Sequence, residues 1–192
     1  MGEGVQGHER RGRQSVRDAR QHHRAGPPAQ RGSAKKKSPD GEETPETTAE
    51  VRHRQAIGRS RGGLSSKLHV LVDAQGYPTK ILLTPGQASD LEGADAFLPD
   101  FAADALIADM AYDADARVRE PLAKAGKRAV IPSKPGRKNP IPLDETLYKA
   151  RHLIENFFAR LKQYRAIATR YDKTARNYLA AVHLVAALIC LN

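Results

Sequence analysis

The pattern of hydrophobic and polar positions changes near Gly58. Before this point aliphatic residues are scarce, and neither the strand period nor the helix period is sustained. After Gly63, alternate apolar residues at Leu64–Val72 predict a strand that ends at a polar turn. A second strand is predicted at Thr79–Thr84, where a Pro-Gly pair stops it, so the two strands predict a hairpin.

Short apolar runs and amphipathic stretches alternate through the rest of the chain. The runs Ala105–Ala108 and Ala129–Ile131 are typical of strands buried on both faces. Helices are predicted from Leu91, capped by Asp90, to near Pro99, then at Asp113–Ala125, Leu143–Tyr164 and Lys173–Leu191. A hairpin followed by alternating helices and strands predicts an α/β sheet with helices over it.

Residues 1–55 are predicted to form a basic arm ahead of one folded domain at 56–192. Residues 1–63 hold 14 basic and 8 acidic residues, with few aliphatic side chains among them. Such a segment buries too little apolar area to offset its ordering entropy, about 1–2 kcal/mol per residue for the backbone. A disordered, solvated tail is the favoured interpretation, and a nucleic-acid-binding arm is the alternative.

The composition narrows the class of protein. The chain has 32 Lys and Arg against 22 Asp and Glu, a formal net charge of +10, which favours a polyanionic partner. Its one Cys excludes an intramolecular disulfide framework and a multi-Cys zinc site. The sequence has neither an apolar run of the roughly 20 residues that span a membrane nor a secretory signal. We therefore expect a phosphate-seeking protein of a reducing compartment, without a membrane partner.

Asp109 directly follows the buried run Ala105–Ala108. Carboxylates at the C-terminal ends of strands in open α/β sheets often belong to active sites. The alternative is an aspartate that caps the next turn or helix, a role for which Asp113 competes. The spacing leaves both interpretations open.

The helix predicted at Leu143–Tyr164 carries a polar set beside its apolar stripe. On an ideal helix, four of its residues fall within a wedge of roughly 60°. These residues are Tyr148, Arg151, Glu155 and Lys162. They can form an exposed salt-bridge ladder, worth about 0.5 kcal/mol per pair. Alternatively, Glu155 binds a metal and the cations bind DNA phosphates; spacing alone favours the ladder.

Basic residues gather in two further places. Residues 134–176 hold 11 basic and 4 acidic residues, a net charge of +7, and Gly58–Gly63 is a glycine-rich basic loop. Loops of Lys, Arg and Gly suit a nucleic-acid backbone, although a solvated surface is the alternative. The predicted DNA contacts are Arg59, Arg61, Lys134, Arg137 and Lys138.

Four segments, in this order along the chain, carry a family resemblance. They are Gly58–Leu64 (GRSRGGL), Leu83–Gln87 (LTPGQ), Ala108–Asp113 (ADMAYD) and Tyr148–Asn156 (YKARHLIEN). They resemble the bacterial insertion-sequence transposases of the DDE class, specifically insertion-sequence family five, from about Gln55 to Asn192. The family's terminal signature, Y-x2-R-x3-E-x6-K, is matched at Tyr148, Arg151, Glu155 and Lys162.

The resemblance implies an RNase H-like fold in which three carboxylates hold two Mg2+ ions for phosphodiester hydrolysis and strand transfer at insertion-sequence ends. It implies that Asp109 is the second carboxylate and Glu155 the third, each catalytic and metal-binding. Supporting roles then fall to Tyr148, Arg151 and Lys162. The implied partners are the double-stranded DNA of transposon ends and target, and a second copy or the parent transposase. The implied location is the bacterial cytoplasm, at the nucleoid.

The first carboxylate of the family has no counterpart in this sequence. The family carries it in an Asp-Ser-Thr segment upstream of the Gly58 motif, where this chain reads RDARQHHRAGPPA. Read one base later, the codons for residues 5–29 can encode a segment close to the family's first strand. The bases fixed from Arg20 to Pro27 agree with D-S-T-I-V-R-A-H. Residues 1–28 are therefore predicted to be out-of-frame sequence, from a decayed element or one expressed through frameshifting.

We therefore expect an RNase H-like mixed sheet that lacks its first strand, and strand cleavage that is weak or absent. Two-ion chemistry needs fixed, paired oxygen ligands, so the loss of one carboxylate should disable it. Asp73 is a poor substitute, because its position in a turn explains it. The alternative function is a non-catalytic DNA-binding remnant of a transposase. An unrelated basic nucleic-acid-binding protein is least favoured.

Overall fold

The computed structural model describes the backbone of residues 13–22 and, with their side chains, residues 51 and 53–191. Over these residues the chain forms a mixed α/β fold with parallel and antiparallel strands and helices. The predicted fold class is confirmed, and the arrangement is compatible with an RNase H-like fold. No helix in the described ranges has both the length and the apolar character needed to cross a membrane.

Six strands form the sheet of the described residues. They are β1 (Arg13–His22), β2 (Gly58–Ser60), β3 (Gly63–Val72), β4 (Pro78–Pro85), β5 (Ala105–Ala108) and β6 (Arg128–Val130). Their order is β2-β3-β1-β5-β6, with β4 also paired to β3. β2 and β3 are antiparallel, whereas β5 is parallel to both β1 and β6. The buried strand β5 is therefore an inner strand of the sheet.

β1 corrects the expectation that the sheet lacks its first strand. Residues 13–22 lie between β3 and β5, with a parallel register that runs from Arg13 beside Ala105 to Val16 beside Ala108. The physical reason is that the buried backbone N–H and C=O groups of β5 need partners on both sides. β6 satisfies one side and β1 the other. Residues 1–12 and 23–50 of the predicted arm lie outside the described residues, so the arm and its out-of-frame origin stay predictions.

The helices are shorter than the sequence pattern predicts. They are α1 (Leu91–Phe97), α2 (Glu120–Lys124), α3 (Glu145–Tyr148), α4 (His152–Gln163), α5 (Arg165–Ala168) and α6 (Ala175–Leu191). Short 3-10 turns occupy Leu98–Asp100, Met110–Tyr112 and Lys149–Arg151, and a π turn occupies Asp115–Arg119. The predicted helix 143–164 is thus interrupted at Lys149–Arg151.

The chain divides into two compact units, each made of several segments. In the described ranges, the first contains residues 13–18, 69–82 and 89–160, and the second contains 19–22, 51, 53–68, 83–88 and 161–191.

The core of the first unit packs on both faces of β5, because alternate side chains of a strand point in opposite directions. The cluster on one face includes Leu106, Ala108, Phe97, Tyr112 and Leu122. The cluster on the other face includes Ala105, Ile107, Val130 and Leu147.

A buried guanidinium organises the second unit. Arg170 is 1% exposed, and its Nη1 donates hydrogen bonds to the carbonyl oxygen of Ala56 at 3.3 Å and to Ser66 Oγ at 2.6 Å. Its Nη2 donates to the carbonyl oxygen of Gln55 at 2.8 Å, and its Cζ lies 4.9 Å from the centre of the Tyr178 ring. Burial lowers the pKa of Arg170 and raises that of Tyr178. Neutral oxygen atoms and an aromatic face therefore compensate this charge.

Candidate functional site

Asp109 emerges from the end of β5 and is half-buried. Its backbone stays extended (φ −78°, ψ 175°), so its side chain continues the alternation on the face of Ala105 and Ile107. Tyr148 packs on this same face. Asp109 Oδ1 accepts a hydrogen bond from the backbone N–H of Ala111 at 2.9 Å. Asp109 therefore follows a strand and caps a 3-10 turn; the capping interpretation is confirmed, and a catalytic role of this carboxylate stays a prediction.

Arg151 links Tyr148 and Glu155 into one chain of contacts. Its Nη2 lies 2.7 Å from Glu155 Oε1, and its Cζ lies 5.5 Å from the centre of the Tyr148 ring. The Glu155 side chain is 38% exposed, so this ion pair is worth about 0.2–1 kcal/mol. Lys162 is exposed on the last turn of α4. The structure thus joins three of the four signature residues and confirms the Arg151–Glu155 step of the ladder.

The described residues do not form the three-carboxylate site that the resemblance implies. Within the residues the structure describes, no three His, Cys, Asp or Glu side chains are grouped so that they could hold a metal ion. β1 pairs with β5 as far as Val16 beside Ala108, one residue before Asp109. A two-ion site requires several fixed oxygen ligands, and the described residues do not group enough of them.

Asp73 is used within its own turn. Its Oδ1 accepts hydrogen bonds from the backbone N–H groups of Gln75 and Tyr77, each at 2.9 Å. This is the side-chain-to-backbone bonding that favours aspartate in turns. The structure thus supports the turn interpretation of this residue.

Asp113 is a buried carboxylate whose role the sequence analysis missed. Its side chain is 1% exposed, and its Oδ1 accepts hydrogen bonds from Arg119 Nε at 2.7 Å and Arg137 Nη1 at 2.9 Å. Its Oδ2 accepts one from the backbone N–H of Lys134 at 2.8 Å. Burial alone raises the pKa of Asp113, but these three donors outweigh it and hold the pKa below its usual value. The Asp113 carboxylate is therefore held in its ionised form in the folded protein.

The basic loop after β6 runs from Ser133 to Ile141, and these two residues close it. The backbone N–H of Ile141 donates to Ser133 Oγ at 2.9 Å. Within the loop, the backbone N–H of Arg137 donates to the carbonyl oxygen of Lys134 at 3.1 Å. Gly136 has φ +86°, which a turn with Pro before Gly requires at that position. The loop is therefore ordered by contacts within the chain.

The three predicted DNA contacts of this loop differ in exposure and in ion pairing. The Arg137 side chain is 18% exposed and forms ion pairs with both Asp113 and Asp115. Lys134 and Lys138 are exposed. Arg137 thus faces the chain itself, whereas the two lysines face solvent; contact of any of them with DNA stays a prediction.

The other predicted DNA contacts, Arg59 and Arg61, lie at the tip of the β2–β3 hairpin, and both are exposed. Ser60 Oγ donates to the carbonyl oxygen of Gly63 at 3.1 Å, and Ser65 Oγ donates to Ser60 Oγ at 2.9 Å. These hydroxyl groups hold the tip, so the two arginines project from an ordered hairpin. Their DNA contact also stays a prediction.

Comparison with known proteins gives two findings. A family model described as a transposase DDE domain matches residues 41–191. A Brucella ovis protein, whose name refers to a transposase for insertion sequence element IS6501, is 42% identical over 130 residues. That alignment covers 67% of this chain and 99% of the Brucella protein.

Proposed function

We propose that this chain, which belongs to the family of transposases with a DDE domain, binds the DNA of insertion-sequence ends but cleaves it weakly or not at all. We assign it to insertion-sequence family five, since its four motifs occur in that family's order. Its proposed partners are double-stranded DNA and a second copy or the parent transposase, at the bacterial nucleoid.

The observation that carries the impairment is that, among the described residues, no three His, Cys, Asp or Glu side chains are grouped so that they could hold a metal ion. In DDE transposases divalent metal ions are bound by carboxylates, and we propose Mg2+ as the ion and Asp109 and Glu155 as its remaining ligands here. The family's Asp-Ser-Thr segment, which carries the first carboxylate, has no counterpart in this sequence, so we propose that one ligand of the ions is missing.

The charge of the chain supports binding to DNA. The exposed cations of the hairpin tip and of the basic loop suit phosphates, because bound Lys and Arg release the counterions of the duplex. In this proposal Arg59, Arg61, Lys134 and Lys138 contact the DNA backbone, and Arg151 orients Glu155 through their ion pair.

A cleavage assay tests the proposal. The full chain is incubated with DNA that carries the element's ends, with Mg2+ or with a chelator, beside Asp109→Ala and Glu155→Ala variants. We expect salt-sensitive binding and, at most, slow nicking that requires Mg2+ and is lost in the variants. Robust Mg2+-dependent nicking that both substitutions abolish would refute the impairment, and failure to bind DNA would refute the proposal as a whole.

A non-catalytic DNA-binding remnant is the second candidate. The observation that favours it is the engagement of both carboxylates within the chain, Asp109 by the Ala111 N–H and Glu155 by Arg151. Binding that needs no metal and survives both alanine substitutions supports this candidate. Residual nicking that requires Mg2+ and either carboxylate supports the impaired enzyme.

A further inference from the structure

Arg137 uses three of its five guanidinium N–H groups within the protein, one on each nitrogen. Nε donates to the carbonyl oxygen of Asn139 at 3.1 Å, Nη1 donates to Asp113 at 2.9 Å, and Nη2 pairs with Asp115. Guanidinium groups bind phosphate through forked pairs of N–H donors. Because each nitrogen of Arg137 already has an acceptor and the side chain is 18% exposed, two N–H groups at most remain for a phosphate.

Lys134 and Lys138 flank Arg137 and differ from it. Both are exposed, and among the described residues neither side chain forms an ion pair. The Lys134 backbone is held by Asp113, and the turn places both lysines on a loop closed at its base. A loop ordered before binding loses less conformational entropy when it binds, which favours affinity.

We propose that Asp113 and Arg137 are positioning residues of a preformed loop, from Ser133 to Ile141, in which Lys134 and Lys138 bind the DNA phosphate backbone. This inference rests on the proposed function, since it assigns individual residues of the loop their roles in DNA binding. It also changes the assignment of Arg137, which orders the loop and does not contact DNA. The loop is joined through Asp113 to the segment that begins at Asp109, so it presents the lysines in the same unit as that carboxylate.

Asp113→Asn tests two explanations of DNA binding, because they predict opposite changes in the affinity for DNA. If the loop acts only through its charge, removing a negative charge tightens DNA binding. If Asp113 positions the loop, binding weakens, by about fivefold near 0.15 M salt for each phosphate that a lysine no longer neutralises. Binding of the full chain to a short DNA duplex is measured by fluorescence anisotropy. Asp100→Asn is the matched control, because it removes the same charge from an exposed pair with Lys80.

Arg137→Lys keeps the test decisive if Asp113→Asn does not fold. The substitution preserves the charge, but an ammonium cannot span Asp113, Asp115 and the Asn139 carbonyl together. We expect about fivefold weaker binding and faster trypsin cleavage within the loop. Arg176→Lys makes the same change at an exposed arginine outside the loop, so it is the control and should bind DNA as the wild type does. If Arg137→Lys and Asp113→Asn both bind like the wild type, Asp113 and Arg137 are not positioning residues.

The salt dependence of binding identifies the contacting side chains. Lys134→Gln and Lys138→Gln should each reduce the slope of log K against log salt by about 0.9, the release of one counterion. Unchanged slopes in both variants would overturn the assignment of these lysines. Wild-type chain that shows no salt-sensitive DNA binding would overturn the proposed function itself. Normal wild-type binding with unaffected variants would overturn only the present inference.

Discussion

Asp113 in the first unit and Arg170 in the second are both buried ions, but their charges are compensated in different ways. Asp113 lies between two guanidinium groups and a backbone N–H. Arg170 donates to three backbone carbonyls, those of Gln55, Ala56 and Asp172, and to the hydroxyl of Ser66. One site is a network of charged groups, whereas the other surrounds a single charge with neutral acceptors.

This difference in charge compensation gives Asp113 and Arg170 different roles in the protein. The cations around Asp113 are shared with a surface loop, so the strength of this network controls how that loop is presented. Arg170 is buried and connects two segments that are far apart in sequence, its own segment before α6 and the segment around Gln55. We therefore expect Arg170 to affect stability alone, and Asp113 to affect both stability and DNA binding.

Arg170→Met should have the largest effect. The substitution keeps an apolar stem but removes the donor from four oxygen acceptors, in two buried and two part-buried hydrogen bonds, and each buried acceptor left unpaired costs about 1–3 kcal/mol. We expect a loss of about 4 kcal/mol in the free energy of unfolding, measured by urea denaturation. Arg176→Met, at an exposed position, should change stability by less than about 0.5 kcal/mol. Equal effects of the two substitutions would contradict the role of Arg170.

Asp113→Asn should rank second. The amide retains one acceptor but no charge, so Arg119 and Arg137 lose their counterion; breaking a buried ion pair costs about 3–5 kcal/mol. We expect a loss near 3 kcal/mol, because Arg137 keeps its pair with Asp115. The same urea measurement checks it. A loss below that of Asp100→Asn would show that the network does not stabilise the fold.

The pH dependence separates the two sites. The pKa of Asp113 is lower in the folded protein than its ordinary value of about 3.9, so its contribution is present above that value and is lost as the pH falls through the folded pKa. The stability difference between wild type and Asp113→Asn should therefore shrink below about pH 4. The difference between wild type and Arg170→Met should persist there, since arginine stays protonated. Unfolding curves at acid pH measure both differences.

Asp109→Ala should have the smallest effect on stability. It removes one capping hydrogen bond, to Ala111, from a half-buried side chain, which costs about 0.5–2 kcal/mol. We expect about 1 kcal/mol by the same denaturation assay, with Asp109→Asn losing less. A loss as large as that of Asp113→Asn would mean that Asp109 is primarily a structural residue.

The sequence predicted best those elements whose signal is local. The run Ala105–Ala108 forms a strand with the predicted bounds, because every residue in it is apolar and both faces are buried. The helix predicted to end at Ala125 ends at Lys124, and the following Gly126 has a positive φ, +70°, and donates a hydrogen bond from its N–H to the carbonyl oxygen of Ala123. At α1, Asp90 occupies the predicted N-cap position, but its side chain forms no capping hydrogen bond, and Ser89 Oγ accepts the Leu91 N–H instead.

Features that depend on distant partners could not be predicted. β1 has no hydrophobic alternation, so its place in the sheet follows from pairing with β5, which begins more than eighty residues later. Asp113 binds Lys134 and Arg137, and no local pattern connects an aspartate with partners 21 and 24 residues away. The two signature carboxylates, by contrast, were identified through the family resemblance, and their catalytic roles stay predictions.

The Arg170 contacts also show that Gln55 and Ala56 belong to the folded part of the chain. A shortened protein that begins at Gly58 would keep every strand from β2 onward but would remove β1 and the Gln55 and Ala56 carbonyls. The Gln55 side chain also accepts the N–H of Ala175 at 2.8 Å, near the start of α6. Truncation should therefore leave both Arg170 and the beginning of the last helix exposed to water, and a minimal domain has to retain Gln55.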